Sequence, residues 1–315
     1  MRVLIVRLSS LGDVVCSLPA ATTLRSAFPD AKIEWAADPR FAAIVEACGA
    51  VDMVHRVKPK FAPSSWPKFE GEFDAVLDLQ GLSKSAIVAA RAKAKLRLGY
   101  HWQREGAWLV SSPVLPDPSS IHIVDQYVDV ARAAIVALGG AVDPAQKTTF
   151  DLAHRVDIGP KLAEASIDRP YVLLNPGAGW ITKRWPPASF AKVVDWIWDQ
   201  GLIPVALGGN AAEDHAAFAE VAEAATRAPI AMTGKTNIAE LVALVAGARA
   251  HIGGDTGSTH LAAALGIPAI GLYSITRPPR SCPYGQADRC LYDATGLDRI
   301  QPEDVMRLVE VALAP

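Results

Sequence analysis

The chain has 315 residues, half of them hydrophobic and a fifth charged, with a formal net charge of −2. That length suits two domains of about 150 residues each, and a near-neutral balance gives no global basis for binding nucleic acid. Cys16, Cys48, Cys282 and Cys290 form no CxxC pair, which argues for free thiols and against a disulfide framework.

Taken in order, the chain opens on an apolar run, Val3–Val6, that reads as a buried strand. The segment is too short and too soon interrupted for a signal peptide or a membrane span, and no other apolar run approaches about 18 residues. A cytoplasmic protein is expected. Helical periodicity follows over 14–28, then a strand at 32–37, a helix over 39–48 and a strand at 53–57. Residues 58–71 are irregular and basic. A strand at 73–80, a helix over 83–94, a strand at 96–100 and a helix over 123–138 complete the first half. Residues 139–168 lose the periodicity, contain Gly139-Gly140, Pro144 and Pro160, and read as an interdomain linker. A second series then runs as strand 171–174, helix 189–200, strand 203–207, helix 211–225, strand 230–232 and helix 238–246. Strands at 248–252 and 269–273, with helices from Ser258 and over 302–313, end the chain. Alternation of this kind predicts α/β architecture: two Rossmann-like domains with parallel sheets, residues 1–150 and 151–315, facing across a cleft. Ligands of such sheets bind beyond the carboxyl ends of the strands.

The loops at those ends carry the polar residues. Gly254-Asp-Thr-Gly-Ser-Thr-His260 leads from a strand into an Ala-rich helix. Glycines allow close backbone approach, and free N–H groups of a first helical turn favour an anion, so the turn is a candidate phosphate site. An ordinary strand-to-helix turn with Asp255 or Ser258 as N-cap fits equally well. Ser9-Ser10-Leu11-Gly12-Asp13 sets a carboxylate at a helix start, suited either to capping or to general-base catalysis. Asn175-Pro-Gly-Ala-Gly-Trp-Ile-Thr-Lys-Arg-Trp-Pro186 combines glycines, a hydroxyl and two cations, as a phosphate site needs. Asp78-Leu-Gln-Gly-Leu-Ser-Lys-Ser-Ala86 puts Lys84 in a first helical turn, an unfavourable place for a cation unless an anion joins it. Gly208-Gly209-Asn210 and Thr233-Gly234-Lys235 end two further strands. No Gly-x-Gly-x-x-Gly follows the first strand, and neither a P-loop nor a Gly-x-Ser-x-Gly elbow occurs. The seven histidines show no zinc-like spacing with cysteine.

Four of these stretches together resemble the bacterial lipopolysaccharide heptosyltransferases of glycosyltransferase family nine: Leu4–Asp13, Asp78–Ala86, Asn175-Pro-Gly-Ala-Gly through Lys183-x-Trp-Pro186, and Gly254-Asp-Thr-Gly-x-x-His260. They occur in register over nearly the whole chain. The Asp78 stretch and Gly99-Tyr-His-Trp-Gln103 are most similar to the branch that adds the first heptose to Kdo of the inner core. The resemblance implies a GT-B fold, with the acceptor on the N-terminal domain and the donor on the C-terminal one, and a last helix able to pack back on the first domain. It implies inverting, metal-independent transfer from ADP-L-glycero-D-manno-heptose, with no cofactor. Asp13 would be the general base, with Lys183 beside Thr182 steadying the donor phosphates. Asn175, Gly177, Thr233, Gly234, Asp255, Thr256, Gly257 and His260 would bind the donor. Ser10, Gly12, Gln80, Lys84 and His122 would meet the acceptor, a lipid-linked saccharide such as Kdo-lipid A, through peripheral contact with the cytoplasmic face of the inner membrane. Two stretches depart from the family pattern and bear on nucleotide choice: Ser274-Ile-Thr-Arg-Pro278 has a cation where relatives have an acid, and Pro229-Ile-Ala-Met232 lacks an acid. A family member using another nucleotide sugar or acceptor, a nucleotide-sugar epimerase of the same fold, and a non-catalytic binding protein stand as alternatives.

Overall fold

A computed structural model describes residues 1–60, 62–177 and 184–314. The chain divides into two compact units, Met1–Ala153 and His154–Pro315. The first holds β1 (Arg2–Val6), β2 (Lys32–Ala37), β3 (Met53–Arg56), β4 (Phe73–Asp78), β5 (Ala94–Tyr100) and β6 (Ser112–Val114) in one sheet of order β3-β2-β1-β4-β5-β6. Every recorded pairing in it is parallel, with Val3 beside Ile33 on one side and Ala75 on the other. Successive strand side chains point to opposite faces, yet Val3, Leu4, Ile5 and Val6 are all fully buried. Both faces of the sheet centre are therefore covered, which is why this strand reads as an unbroken apolar run rather than an alternation.

The helices of this unit are α1 (Leu11–Ala27), α2 (Ala42–Glu46), α3 (Ser83–Arg91) and α4 (Ile123–Ala137), with α1 packed along α4. Their ends differ from the periodicity for local reasons. Leu11-Gly12-Asp13 already form the first turn of α1, three residues before the apolar pattern begins. The stretch before α2 is held as a turn by Asp38, whose carboxylate accepts from the Arg40 N–H at 3.0 Å and whose carbonyl accepts from Phe41 at 2.9 Å. In α3 the helix stops at Arg91 because Ala92 turns extended, and the Arg97 guanidinium from β5 donates to the Ala89 and Ala92 carbonyls at 3.2 and 2.8 Å. The edge strand β6 escapes a pattern search, being three residues with a proline in the middle.

The second unit repeats the same order. Its strands are β7 (Tyr171–Asn175), β8 (Ile203–Ala206), β9 (Ile230–Ala231), β10 (Ala250–Gly253), β11 (Ala269–Tyr273) and β12 (Cys290–Tyr292), arranged β12-β11-β10-β7-β8-β9. Between them run α5 (Gly159–Glu164), α6 (Pro187–Asp199), α7 (Ala212–Ala224), α8 (Ile238–Ala246), α9 (Gly257–Ala264), α10 (Pro278–Ser281) and α11 (Pro302–Leu313). Val172, Leu174, Ile252 and Ile270 pack on Phe190, Val193 and Ile197 of α6 and on Val305 and Val309 of α11. The last helix thus completes the core of this unit.

The stretch read as a linker, 139–168, is more ordered than its composition predicts. Cys48 and Leu152 form an antiparallel bridge, and the Thr22 hydroxyl donates to the Thr149 carbonyl at 2.8 Å, which fastens residues 149–152 to the first unit. Gly159–Glu164 then form α5 of the second. All four cysteines are free thiols. Among the described residues no helix is long and apolar enough to cross a membrane.

Candidate active site

In the first unit the strand order reverses between β1 and β4, and the loops leaving those two strands frame the crevice where α/β sheets take ligands. Three hydrogen bonds lace the loops together. Leu79 N–H donates to the Val6 carbonyl at 3.0 Å, Leu8 N–H to Gln80 Oε1 at 2.8 Å, and Arg7 Nη1 to the Leu79 carbonyl. The turn after β4 is shaped by buried Asp78, which accepts from the Gln80 and Gly81 N–H groups and from the Ser85 hydroxyl, each at 3.0 Å. Burial pushes its carboxyl above the ordinary range in spite of these donors.

Asp13 sits in the first turn of α1, three residues past the N-cap Ser10. Its Oδ2 accepts from the Ser10 N–H at 3.0 Å and the Ser10 hydroxyl at 2.8 Å, and its Oδ1 meets Arg7 Nη2 at 2.7 Å. Burial opposes ionisation, but the Arg7 charge and the Ser10 donors together outweigh it and hold the carboxyl below its ordinary value. The Asp13 side chain is 44% exposed and the Arg7 side chain only 7%. Arg7 itself lies 5.3 Å from the centre of the buried Tyr127 ring. The result is an ionised carboxylate, fixed from behind and open in front, in a form that can receive a proton.

An open cavity of about 610 Å³ is lined by Ser9, Gln80, Leu82, Ser83, Lys84 and Glu105. Gln80 and Lys84 therefore share one pocket. Gln80 also has a structural task, since its carbonyl oxygen holds Leu8. Glu105 accepts from the Ser83 N–H at 3.1 Å and its hydroxyl at 2.7 Å, and so supplies from within the chain the negative charge that Lys84 at the α3 N-terminus calls for. Gly12 lies in the first turn of α1. His122 is the N-cap of α4, its Nδ1 accepting from Val124 N–H at 3.2 Å, and it is buried. It does not line this cavity.

The crevice of the second unit lies between β7 and β10, where its own strand order reverses. Asn175 ends β7. Its Nδ2 donates to the Ser258 and Thr256 hydroxyls at 2.8 and 3.3 Å, and its Oδ1 accepts from Gly177 N–H at 3.2 Å. His251 Nε2 lies 2.9 Å from Ser258 Oγ. Burial, with a smaller push from His260, lowers His251 to about 3, so it is a neutral imidazole. The N-cap of α9 is Thr256, not Asp255 or Ser258. Asp255 pairs instead with His260 at 3.1 Å. No side chain caps the first turn of α9, because the Thr256 hydroxyl is turned to Ser258 and Thr259 at 3.2 and 3.1 Å. The N–H groups of Gly257, Ser258 and Thr259 have no side-chain cap among the described residues, as an anion site requires.

Around this turn the backbone runs close to side chains. A Cβ at Gly177 would stand 2.4 Å from Asp214 Oδ1, and one at Gly234, where φ is +70°, would stand 2.8 Å from Asn210 Oδ1. Thr233 is buried and its hydroxyl has no hydrogen-bond partner among the described residues. Thr182 and Lys183 lie outside the described residues. Among the described residues no three His, Cys, Asp or Glu side chains converge to hold a metal ion.

Sequence reasoning gave no role to Arg7, Asp214 or His251, and offered Ser258 only as a helix cap. A charged residue directly after a buried strand was the available signal for Arg7. Asp214 had none, since an acid in a first helical turn is ordinary and its approach to Gly177 is set only by the fold.

Comparison with known proteins agrees with this layout. Residues 68–304 match the model of glycosyltransferase family 9 (heptosyltransferase). Lipopolysaccharide heptosyltransferase 1 of Pseudomonas aeruginosa is 31% identical over 314 residues, covering 91% of this chain and 82% of that protein. In fold, a family 9 glycosyl transferase from Veillonella parvula superposes with a TM-score of 0.83 at 21% identity, over 99% of this chain and 97% of that one. The E. coli heptosyltransferase WaaC with ADP gives 0.78 at 24% identity, over 99% and 100%. The chain belongs to glycosyltransferase family 9, the heptosyltransferase family, and is a glycosyltransferase of the GT-B fold.

Proposed function

We propose that this enzyme transfers L-glycero-D-manno-heptose from its ADP conjugate to Kdo of the lipopolysaccharide inner core, with inversion at the anomeric carbon. The first unit takes the lipid-linked acceptor and the second the nucleotide sugar, in peripheral contact with the cytoplasmic face of the inner membrane. Asp13 removes the proton from the acceptor hydroxyl as its oxygen attacks the anomeric carbon. The bond from that carbon to the phosphate oxygen breaks, and ADP leaves with the electron pair. Lys183 and the first-turn N–H groups of α9 meet the charge that develops on the diphosphate.

One observation carries the reading: Asp13 is held ionised by Arg7 and Ser10 at the strand-order reversal of the first unit while almost half its side chain stays open. A carboxylate held below its ordinary range is a weak base in the free enzyme. Covering its open face with substrate adds to the burial that already opposes its charge, and so raises its basicity where the proton is taken. Support for the donor comes from the uncapped turn at Thr256–Thr259 and from the relative whose structure contains ADP.

Thermal-shift titration with ADP, UDP, GDP and dTDP tests the donor. ADP is expected to stabilise the protein most, and a preference for another nucleotide overturns the heptose assignment. Asp13→Ala is expected to lose turnover and keep nucleotide binding. Full turnover in that variant would remove the proposed base.

A further inference from the structure

The exposed apolar side chains of this protein are not evenly spread. Trp102, Trp108, Leu109, Leu115 and Ile121 are 58, 57, 82, 80 and 61% exposed, and all five fall within twenty residues of the first unit. Six other large apolar residues share such exposure, but they are scattered through the chain, from Met1 to Val311, and single exposed residues of that kind are ordinary. The five lie on the segments that enter and leave the edge strand β6, beyond which no further strand of that sheet is paired among the described residues.

Two further observations say what covers this face. The first is charge. Between Gly81 and Ile121 there are six basic residues (Lys84, Arg91, Lys93, Lys95, Arg97 and Arg104) against two acidic ones, in a chain whose net charge is −2. Of these, Lys84 and Arg104 are exposed at the end of β5 where the cavity lies. The second is continuity with the cavity. Arg104 N–H donates to the Gly81 carbonyl at 2.8 Å, and Glu105, two residues on from Gln103, both lines the cavity and binds Ser83. The chain that carries Trp102 is thus one wall of the pocket that holds Lys84 and Gln80.

From these we infer that residues 102–121 form a docking face for an anionic lipid bilayer, with Trp102, Trp108, Leu109, Leu115 and Ile121 entering the headgroup region and Lys84 and Arg104 beside the cavity meeting lipid phosphates. Tryptophan prefers the membrane–water interface, leucine and isoleucine gain from leaving water, and basic side chains add attraction to anionic headgroups. This deepens the functional reading above, on which it rests: an acceptor whose saccharide is tied to a lipid arrives at the cavity from a membrane surface, and the wall of that cavity is itself made to lie on one.

The test uses the full chain and vesicles without donor or acceptor. Sedimentation with phosphatidylcholine–phosphatidylglycerol vesicles is expected, with much weaker binding to phosphatidylcholine alone. The triple variant Trp108→Ser, Leu109→Ser, Leu115→Ser is expected to bind the mixed vesicles at least about tenfold more weakly with an unchanged thermal midpoint, since all three side chains are exposed. Lys84→Glu with Arg104→Glu is expected to abolish the preference for anionic lipid. In turnover, the triple variant lowers the ratio of rate on vesicle-embedded acceptor to rate on a water-soluble acceptor fragment by about tenfold. Wild-type protein that ignores anionic vesicles, or a triple variant that binds them as well as wild type, overturns the docking face. So does a wild-type dimer that the triple variant breaks while vesicle binding stays unchanged, because the face then belongs to a second copy. Vesicle binding that behaves as expected in a protein with no heptosyl transfer overturns the functional reading and not the face.

Discussion

Arg7 Nη2 stands 2.7 Å from Asp13 Oδ1, and the arginine is the buried partner of the two. The pair joins the residue just after β1 to the first turn of α1, so the exit of the opening strand decides how the carboxylate at the mouth of the crevice is aimed. The same guanidinium donates to the Leu79 carbonyl, which ties the aim of Asp13 to the turn after β4.

Replacing Arg7 therefore tests the base. In Arg7→Met the push of burial on Asp13 loses its main opponent, and the acid limb of the kcat/KM–pH profile is expected to move to higher pH. Turnover near neutral pH is expected to fall about ten- to a hundredfold, because the carboxylate is no longer held in place. Arg7→Lys keeps a cation and should retain most of the limb position. An acid limb that stays where it is in Arg7→Met shows that Asp13 is not the group being titrated. For stability the sign is that of a depressed acid: the contribution of Asp13 is complete above its unfolded value of about 3.9 and is lost as pH falls through the lower folded value.

His251 gives the second unit its own pH dependence. Its imidazole titrates near 6.5 in an unfolded chain and at about 3 in the fold. Between those values the unfolded chain binds a proton that the folded chain does not, so stability is complete above about 6.5 and declines toward pH 3. Hydrogen–deuterium protection factors of residues 250–264, taken relative to the intrinsic exchange rate at each pH, should fall across that window. His251→Gln should flatten the dependence and cost about 1–3 kcal/mol at pH 8, where Ser258 loses its ring partner.

Gly177 is a test of close packing at the proposed donor turn. Its added Cβ would sit 2.4 Å from Asp214 Oδ1, so Gly177→Ala is expected to displace the loop and weaken ADP binding about tenfold. Shortening the acid in Gly177→Ala/Asp214→Ser should recover part of that loss. Calorimetric titration of both variants measures it, and wild-type affinity in the single variant removes Gly177 from the site.

The Gln80 tether is checked by stability and rate together. Gln80→Leu leaves the part-buried Leu8 N–H without its acceptor and is expected to cost about 1–2 kcal/mol in a denaturant melt. Gln80→Glu keeps an acceptor oxygen and should lose little stability. If both variants melt alike, the bond to Leu8 contributes nothing and Gln80 acts only as cavity lining.

Much of this was legible in the order of residues. Fully buried parallel strands announce themselves as apolar runs, and Val3–Val6, Tyr171–Leu174 and Ala269–Tyr273 all appear where the pattern predicts. Glycines and polar residues just after those runs marked the loops at the strand ends, because those loops must turn sharply and stay wet. The short elements escaped: β6, β12 and α10 are three or four residues long and carry no period.

What the sequence determined by itself was the alternation of strands and helices, the family motifs and the loops that bear them. Periodicity and turn chemistry act over a few residues and are written there directly. Only the tertiary structure decided which loops meet. The reversal of strand order sets the loop after β1 beside that after β4, and the loop after β7 beside that after β10, across 72 and 83 residues of chain for Leu8–Gln80 and Asn175–Ser258. Separation along the chain likewise hid the bond of Arg7 to Leu79 and the approach of Asp214 to Gly177. Each is defined by a partner that only folding brings near, and a charged or acidic residue looks the same in sequence whether it faces water or a site.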